Sequence, residues 1–335
     1  MSGIDFVVLW VDSSDLAWQA SFAKHKAAGC HDEGARHPAR FRDMGIFNYW
    51  FRCVEKYAPW VRKIHLVTCG QIPAWLNVNH KKLNIVFHEQ FIENKYLPTF
   101  NSNAIELNIH KINDLSDKFV LFNDDMFITA SLAEDFYFDN GNPNDFLILK
   151  KNPPTNKDNL IMASSDFLNI SILNSHFSKR AMMQENKNKY YSMCYKRRLL
   201  KNFANRKEKF FEGFYSRHIP QPFLKSTFNE IWQVEEQLLR ETVSKKFREP
   251  LCLTQYLFRY WQLANGKFNP KNPIKRGKYF NLSSKSINDA IKTLTDGTAQ
   301  TCFNDTEILN DFDAVTDKLR TAFENVFSEK SGYEI

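Results

Sequence analysis

Residues 118–125, Lys118-Phe119-Val120-Leu121-Phe122-Asn123-Asp124-Asp125, decide how this chain is read, because an unbroken apolar run ends directly in an Asn and two Asp. A short, continuous apolar run bounded by turn formers is what a strand buried on both faces looks like, and such strands belong to parallel sheets. Open α/β sheets bind their ligands where the strands end. Adjacent carboxylates at that point suit a hard divalent cation, Mg²⁺ or Mn²⁺, which takes oxygen ligands and shares them with substrate phosphates. The alternative is an Asx-rich turn that closes a strand and binds nothing.

The same pattern recurs on either side. Ile4-Asp5-Phe6-Val7-Val8-Leu9-Trp10-Val11 reads as a strand closed by the capping loop Asp12-Ser13-Ser14-Asp15. Residues 63–68 and 83–87 read as further strands. Residues 48–57 have helical spacing ended by Pro59, and Ala104, Ile105, Ile109 and Ile112 predict a helix over 102–115. Strands alternating with helices predict an α/β fold with a doubly wound, mostly parallel, Rossmann-like sheet. Past residue 178 the character changes. Residues 179–212 are dense in Lys and Arg, and segments 228–243 and 253–263 have helical periodicity, so 178–265 is expected to be a mostly helical, basic insertion. The run Thr301-Cys302-Phe303 then leads into Asn304-Asp305, as though 266–335 returned to the core formed by 1–177. One domain of 335 residues is the expected organisation.

Composition narrows the class. A hydrophobic fraction of 43% with 30 Phe excludes a disordered chain. A net charge of +7 and a pI near 8.9 point to an anionic partner, which charge alone leaves open among nucleic acid, an anionic membrane surface and a phosphorylated small molecule. The cysteines Cys30, Cys53, Cys69, Cys194, Cys252 and Cys302 form no Cys-x-x-Cys pair, so neither a zinc site nor a disulfide framework is expected. Reduced thiols and the lack of an apolar span or leader point to the cytoplasm. Peripheral contact with the inner face of the plasma membrane stays open, since basic charge attracts anionic lipid.

The run Ile4 to Asp12 resembles the first conserved block of the Stealth family, the bacterial capsular polysaccharide phosphotransferases, which are related to the catalytic subunit of lysosomal-enzyme GlcNAc-1-phosphotransferase. Arg40-Phe41-Arg42-Asp43, Tyr57-Ala58-Pro59-Trp60-Val61-Arg62, residues 70–77, residues 97–106, His110 and Asn123-Asp124-Asp125 match the second block nearly throughout. A looser third block is similar to Asp166-Phe167-Leu168-Asn169, residues 173–177 and residues 217–222. The fourth resembles Lys246-Phe247-Arg248 and Cys302-Phe303-Asn304-Asp305, while 178–212 matches nothing in the family pattern.

The resemblance implies a GT-A-like fold and a transferase that moves a sugar 1-phosphate from a UDP-sugar to a hydroxyl of a saccharide acceptor. The product would be a phosphodiester, with UMP released, in capsule or cell-surface polysaccharide synthesis without nucleic acid. By position, Asp124, Asp125 and Asp305 would hold Mg²⁺ or Mn²⁺, and Asp125 would act in catalysis. His218 would be the base, since imidazole titrates near the working pH, and Arg248 would grip phosphoryl oxygens. Asp5 and Asp12 match acidic positions of the family. An Asp inside an apolar run must meet a cation or donors, and Asp12 has helix capping as its alternative. Arg40, Arg42 and Arg52 are expected phosphate or nucleotide contacts, at least one of them structural. Asn103, Glu106 and His110 would share a helix face toward Asn123 and recognise sugar or diphosphate, or else Glu106 and His110 simply pair. Trp10, Trp18, Trp50, Trp60 and Trp75 are candidates for stacking on a ring or for core packing. A conventional metal-dependent glycosyltransferase and a non-enzymatic polyanion-binding protein are the competing readings.

Overall fold

The computed structural model describes residues 3–27, 37–151, 160–306, 309 and 311–335, so Cys30 lies outside the described residues. Strands β1 (Ile4–Leu9), β2 (Lys63–Thr68), β3 (Leu83–Phe87) and β4 (Lys118–Asn123) fall on the apolar runs, with α1 (Leu16–Ala27), α2 (Phe47–Tyr57) and α3 (Ser102–Asn108) between them. The four strands pair in parallel in the order β3-β2-β1-β4. Their side chains alternate strictly. Phe6, Val8, Ile64, Leu66, Val120 and Phe122 enter one core with Trp50 of α2, while Val7, Val67, Phe119 and Leu121 enter a second core with Leu107 of α3. Burial on both faces is why these segments read as unbroken apolar runs.

The chain moves outward from β1 to β3, then crosses back over β1 to lay down β4. That reversal makes the gap between β1 and β4 the topological switch point of the sheet. Leu9 and Asn123 are register partners at its mouth.

From Asn123 only Asp124 and Asp125 separate β4 from β5 (Met126–Ile128), which belongs to another sheet. The small strands β6 (Phe138–Asp139) and β7 (Asn142–Asp145) follow, then α4 (Leu160–His176), α5 (Lys179–Glu185), α6 (Lys187–Tyr190) and α7 (Leu199–Ala204). The segment expected to be helical then supplies a strand, β8 (Gln221–Leu224), antiparallel to β4. Pro222 is tolerated there because β8 is the edge strand of the five-stranded sheet. Helices α8 (Lys225–Val234), α9 (Glu236–Ser244) and α10 (Tyr256–Ala264) cover the second core, and β9 (Asn269–Pro270) pairs with β7. Strand β10 (Lys278–Asn281), α11 (Ile287–Lys292), β11 (Gln300–Asn304) and α12 (Phe312–Val326) complete the chain. β11 pairs with β10 and with β5, so the last third of the chain packs beside the acidic turn.

The helix expected over 102–115 is shorter. Asn108 donates from Nδ2 to the Ala104 carbonyl (2.8 Å) and accepts from Lys111 Nζ (2.7 Å), and a 3₁₀ turn over Ile109–Lys111 follows. Asn competes with the helical ladder through its own side chain, and here it ends the helix.

One buried ion pair organises the region leading into His218. Arg259, 1% exposed, donates from Nε to Asp145 Oδ2 (2.8 Å) and from Nη2 to Asp145 Oδ1 (2.9 Å). Its Nη1 donates to Ser216 Oγ (2.9 Å), and Gln221 Nε2 donates to Asp145 Oδ2 (3.1 Å). Removing one member of such a pair leaves the other charge buried alone. Arg259→Met is therefore expected to cost about 3–5 kcal/mol in urea unfolding, whereas truncating the exposed Lys292, paired with Asp289, should cost almost nothing.

Candidate active site

A cavity of about 430 Å³ opens at the switch point, a size suited to a small-molecule ligand. Trp10 and Val11 beyond β1 and the turn Asn123-Asp124-Asp125 beyond β4 form its floor. The loop Arg40-Phe41-Arg42-Asp43, which leads into α2, forms one wall, and Ser102 of α3, His218, Arg248, Asn304 and Asp305 contribute the others. Two hydrogen bonds pin the turn. Trp50 Nε1–H donates to the Met126 carbonyl (3.0 Å), and the Phe303 N–H donates to the Asp125 carbonyl (2.9 Å).

The acidic floor carries charge that the protein does not neutralise locally. Burial, then the charges of Asp125 and Asp43, lift Asp124 well above the usual carboxylate range. Asp125 Oδ2 accepts from the Cys302 thiol (3.2 Å), but its Oδ1 is shut from solvent and accepts no hydrogen bond among the described residues. An orphaned carboxylate oxygen beside further carboxylates is the donor chemistry that a hard divalent cation takes, so these residues fit one. Asp43, Asp124 and Asp125 are the carboxylates there that could offer it oxygen atoms. Asp125, His218 and Cys302 also bring one donor atom each to within 4.8 Å of one another. Burial, opposed by the Asp125 charge and helped by Arg248, holds His218 below the ordinary imidazole value, so its ring is neutral at pH 7.

Eight of the charged and polar residues expected from sequence meet in this cavity: Arg40, Arg42, Asn123, Asp124, Asp125, His218, Arg248 and Asp305. One of them has a different job. Asp305 is not open to a metal, because both its oxygens accept from Arg42, Nε to Oδ2 and Nη2 to Oδ1 (2.7 Å), and Arg42 in turn lies over the Phe312 ring. The other charged and polar candidates lie off the cavity wall. Asp5 sits about 13 Å upstream on β1 at 3.3 Å per residue, accepting from Arg62 Nε (2.7 Å), His65 Nε2 (3.0 Å) and the Ser116 N–H (2.8 Å). These donors outweigh burial and hold it below the usual carboxylate range, so it is an internal ion pair. Asp12 closes an Asx turn on Ser14, while Asp15 takes the capping role by accepting from the Trp18 N–H. Arg52 is locked to Glu334 (2.7 Å) and to the Phe327 carbonyl.

The shortened α3 separates the remaining three. His110 falls in the 3₁₀ turn between the rings of Phe228 and Trp232, where burial drops it to about 3. Asn103 is buried in the first turn of α3, outside the cavity lining. Glu106 is buried behind Ser102, whose hydroxyl accepts from Arg248 Nη2. It therefore backs an arginine of the site without lining it. Of the tryptophans, Trp10 and Trp18 line the cavity, while Trp50, Trp60 and Trp75 pack in or against the core. Asp43, His88 and Cys302 line or touch the site and were not expected. Asp43 and Cys302 stood inside matched blocks and could have been read, whereas His88 follows β3 with no signal of its own.

Fold and cavity together define an α/β protein with an open cavity at its switch point, faced by carboxylates, a neutral histidine and arginines. Comparison with known proteins specifies this further. Residues 40–145 match the model of Stealth protein CR2, conserved region 2. Over 335 residues the chain is 39% identical to the capsular polysaccharide phosphotransferase WcwK of Streptococcus pneumoniae, covering 100% of this chain and 98% of that protein. It is 38% identical to the receptor polysaccharide phosphotransferase WefC of Streptococcus gordonii, covering 99% of each, and 35% identical to the exopolysaccharide phosphotransferase cps2G of Lactiplantibacillus plantarum, covering 99% and 96%. Among solved structures, the galactosyltransferase LgtC with donor and acceptor sugar analogs aligns over 95% of each chain at 11% identity, with a TM-score of 0.38. The chain belongs to the Stealth family of polysaccharide phosphotransferases, and it is a phosphotransferase.

Burial lifts Glu106 to about 7 against the pull of Arg248 and Ser102. Its folded state holds a proton more tightly than the unfolded chain, whose carboxyl titrates near 4.5, so this contribution is present below that pH and is lost as pH rises toward 7. Relative to Glu106→Gln, the native protein should lose about 3 kcal/mol between those limits, measured by denaturant unfolding at each pH.

Proposed function

We propose that this phosphotransferase moves a sugar 1-phosphate from a UDP-sugar to a hydroxyl of a saccharide acceptor, in capsule or cell-surface polysaccharide synthesis. The observation that carries this reading is the convergence of an uncompensated carboxylate turn, a neutral histidine, Arg40 and Arg248 on one cavity at the sheet's switch point. The acceptor oxygen attacks the phosphorus bearing the sugar, the bridging oxygen leaves with UMP, and the hydroxyl proton passes to His218. Arg40 and Arg248 donate to phosphoryl oxygens, the latter oriented by Ser102 and backed by Glu106. Asp124, Asp125 and Asp43 would hold Mg²⁺ or Mn²⁺, which neutralises charge on the diphosphate and on the departing nucleotide. Arg42, fixed by Asp305, shapes the wall beside them.

On this reading residues 1–335 act as one catalytic unit, the stretch 178–265 delivering His218 and Arg248 to a cavity floored by the sheet. A glycosyltransferase would use the same floor but would attack the anomeric carbon and release UDP. Mass spectrometry of the product from a mixed UDP-sugar pool with Mg²⁺ separates the two: phosphate retained in the product with UMP released is expected, and UDP release would refute the proposal.

His218→Ala should lower kcat by about 10²–10⁴-fold with the KM for the donor little changed. Because its neutral form is the active one and its pKa lies below 6.5, kcat/KM should rise with pH on the acid side of that value and be flat through neutrality. Asp125→Asn should weaken activation by Mn²⁺ about 10–100-fold, read from metal titrations of the initial rate.

A further inference from the structure

The charge of the chain is concentrated away from the active cavity. Residues 178–212 hold eleven Lys and Arg against Glu185, Glu208 and Glu212, a net +8 in a chain whose total is +7. Glu208 and Glu212 are engaged by Lys151 from outside the segment. Arg180, Lys187, Lys196, Arg197, Arg206 and Lys207 make no ion pair among the described residues. These cations face solvent on one short stretch of chain without local neutralisation.

The same stretch puts large apolar side chains into water: Met193 is 77% exposed, Leu200 69%, Phe210 53% and Phe203 41%. Leu200 and Phe203 are three residues apart on α7 and share its outer face, while Leu199 and Asn202 point inward and are buried. Tyr191 packs on Phe203 with ring centroids 4.8 Å apart, and Tyr191 and Phe210 line a cleft with Arg180, Lys187, Arg206 and Lys207. That cleft shares no residue with the active cavity. Lys196, at the kink before α7, adopts a left-handed φ of 53°, a conformation a non-glycine residue takes only under constraint from its surroundings.

A soluble saccharide chain would account for the cations and rings, but it offers nothing to Met193 and Leu200. An anionic bilayer surface accounts for all of them, since apolar side chains enter between headgroups while flanking Lys and Arg meet lipid phosphates. We propose that the outer face of α7 and its flanking turns dock on an anionic phospholipid bilayer. Contact is peripheral, as no helix among the described residues is long and apolar enough to cross a membrane. The docking surface acts independently of the transfer chemistry and needs no nucleotide sugar.

Vesicle co-sedimentation tests it, using the full chain with phosphatidylglycerol and phosphatidylcholine in equal parts against pure phosphatidylcholine. Binding to the anionic vesicles alone is expected, weakened by added salt. Leu200→Glu with Phe203→Glu, and separately Lys196→Glu with Arg197→Glu, should each lower the apparent affinity at least about tenfold, while circular dichroism and turnover of soluble substrates stay as in the native protein. Failure of the native protein to sediment with anionic vesicles, equal binding by both double variants, or binding of dextran sulfate in place of vesicles would each overturn it.

Discussion

The chain has two residues, Asp124 and Asp125, in which to leave one sheet and enter another, and the arrangement of the site depends on that constraint. A turn so short leaves no freedom for side-chain placement, since β4 fixes Asn123 at one end and β5 fixes Met126 at the other. The bonds from Trp50 and Phe303 to this corner bring in α2 and β11, and with them Arg42, Cys302 and Asp305. The acids are held by backbone geometry and not by partners of their own, so they can stay close together and short of positive charge.

Asp5 and Asp125 show why burial alone does not separate an internally paired acid from one left short of partners. Both stand in or beside a buried strand. Asp5 collects an arginine, a histidine and a backbone amide, and its carboxyl is held acidic. Asp125 has a thiol on one oxygen and nothing on the other, with two further carboxylates nearby. The free energy of desolvation is settled within the protein in the first case and left uncompensated on one oxygen in the second. Arg248 differs from Arg52 in the same way, since Arg52 is fully committed to Glu334 and backbone carbonyls while Arg248 donates to the Ser102 hydroxyl.

Much of the fold was legible because parallel strands covered on both faces write continuous apolar runs; β2 and β3 fall on their expected residues, and β1 and β4 differ from theirs only at the C-terminal end. β8 was hidden inside a helical stretch, its Pro222 arguing against a strand until its edge position is known. The helix expected over 102–115 stops early because apolar spacing continues through Asn108 while the Asn side chain breaks the ladder, so Glu106 and His110 share no helix face. In the site, the acidic turn, His218 and Arg248 could be named from matched blocks. What the sequence could not reveal was pairing across long separations: Asp305 with Arg42, Asp5 with Arg62, Arg52 with Glu334.

The antiparallel pairing of β5 with β11 has a consequence for biosynthesis. β5 emerges from the ribosome soon after residue 128, but its partner is made only when residues 300–304 appear. The parallel sheet can form early, yet the corner bearing the acids lacks its second support, and Arg42 lacks its counter-ion, until residues 300–305 have been made. Domains generally fold as units once their distant contacts can close. A nascent chain can therefore carry most of its parallel sheet while the corner that bears the acids is still open on one side.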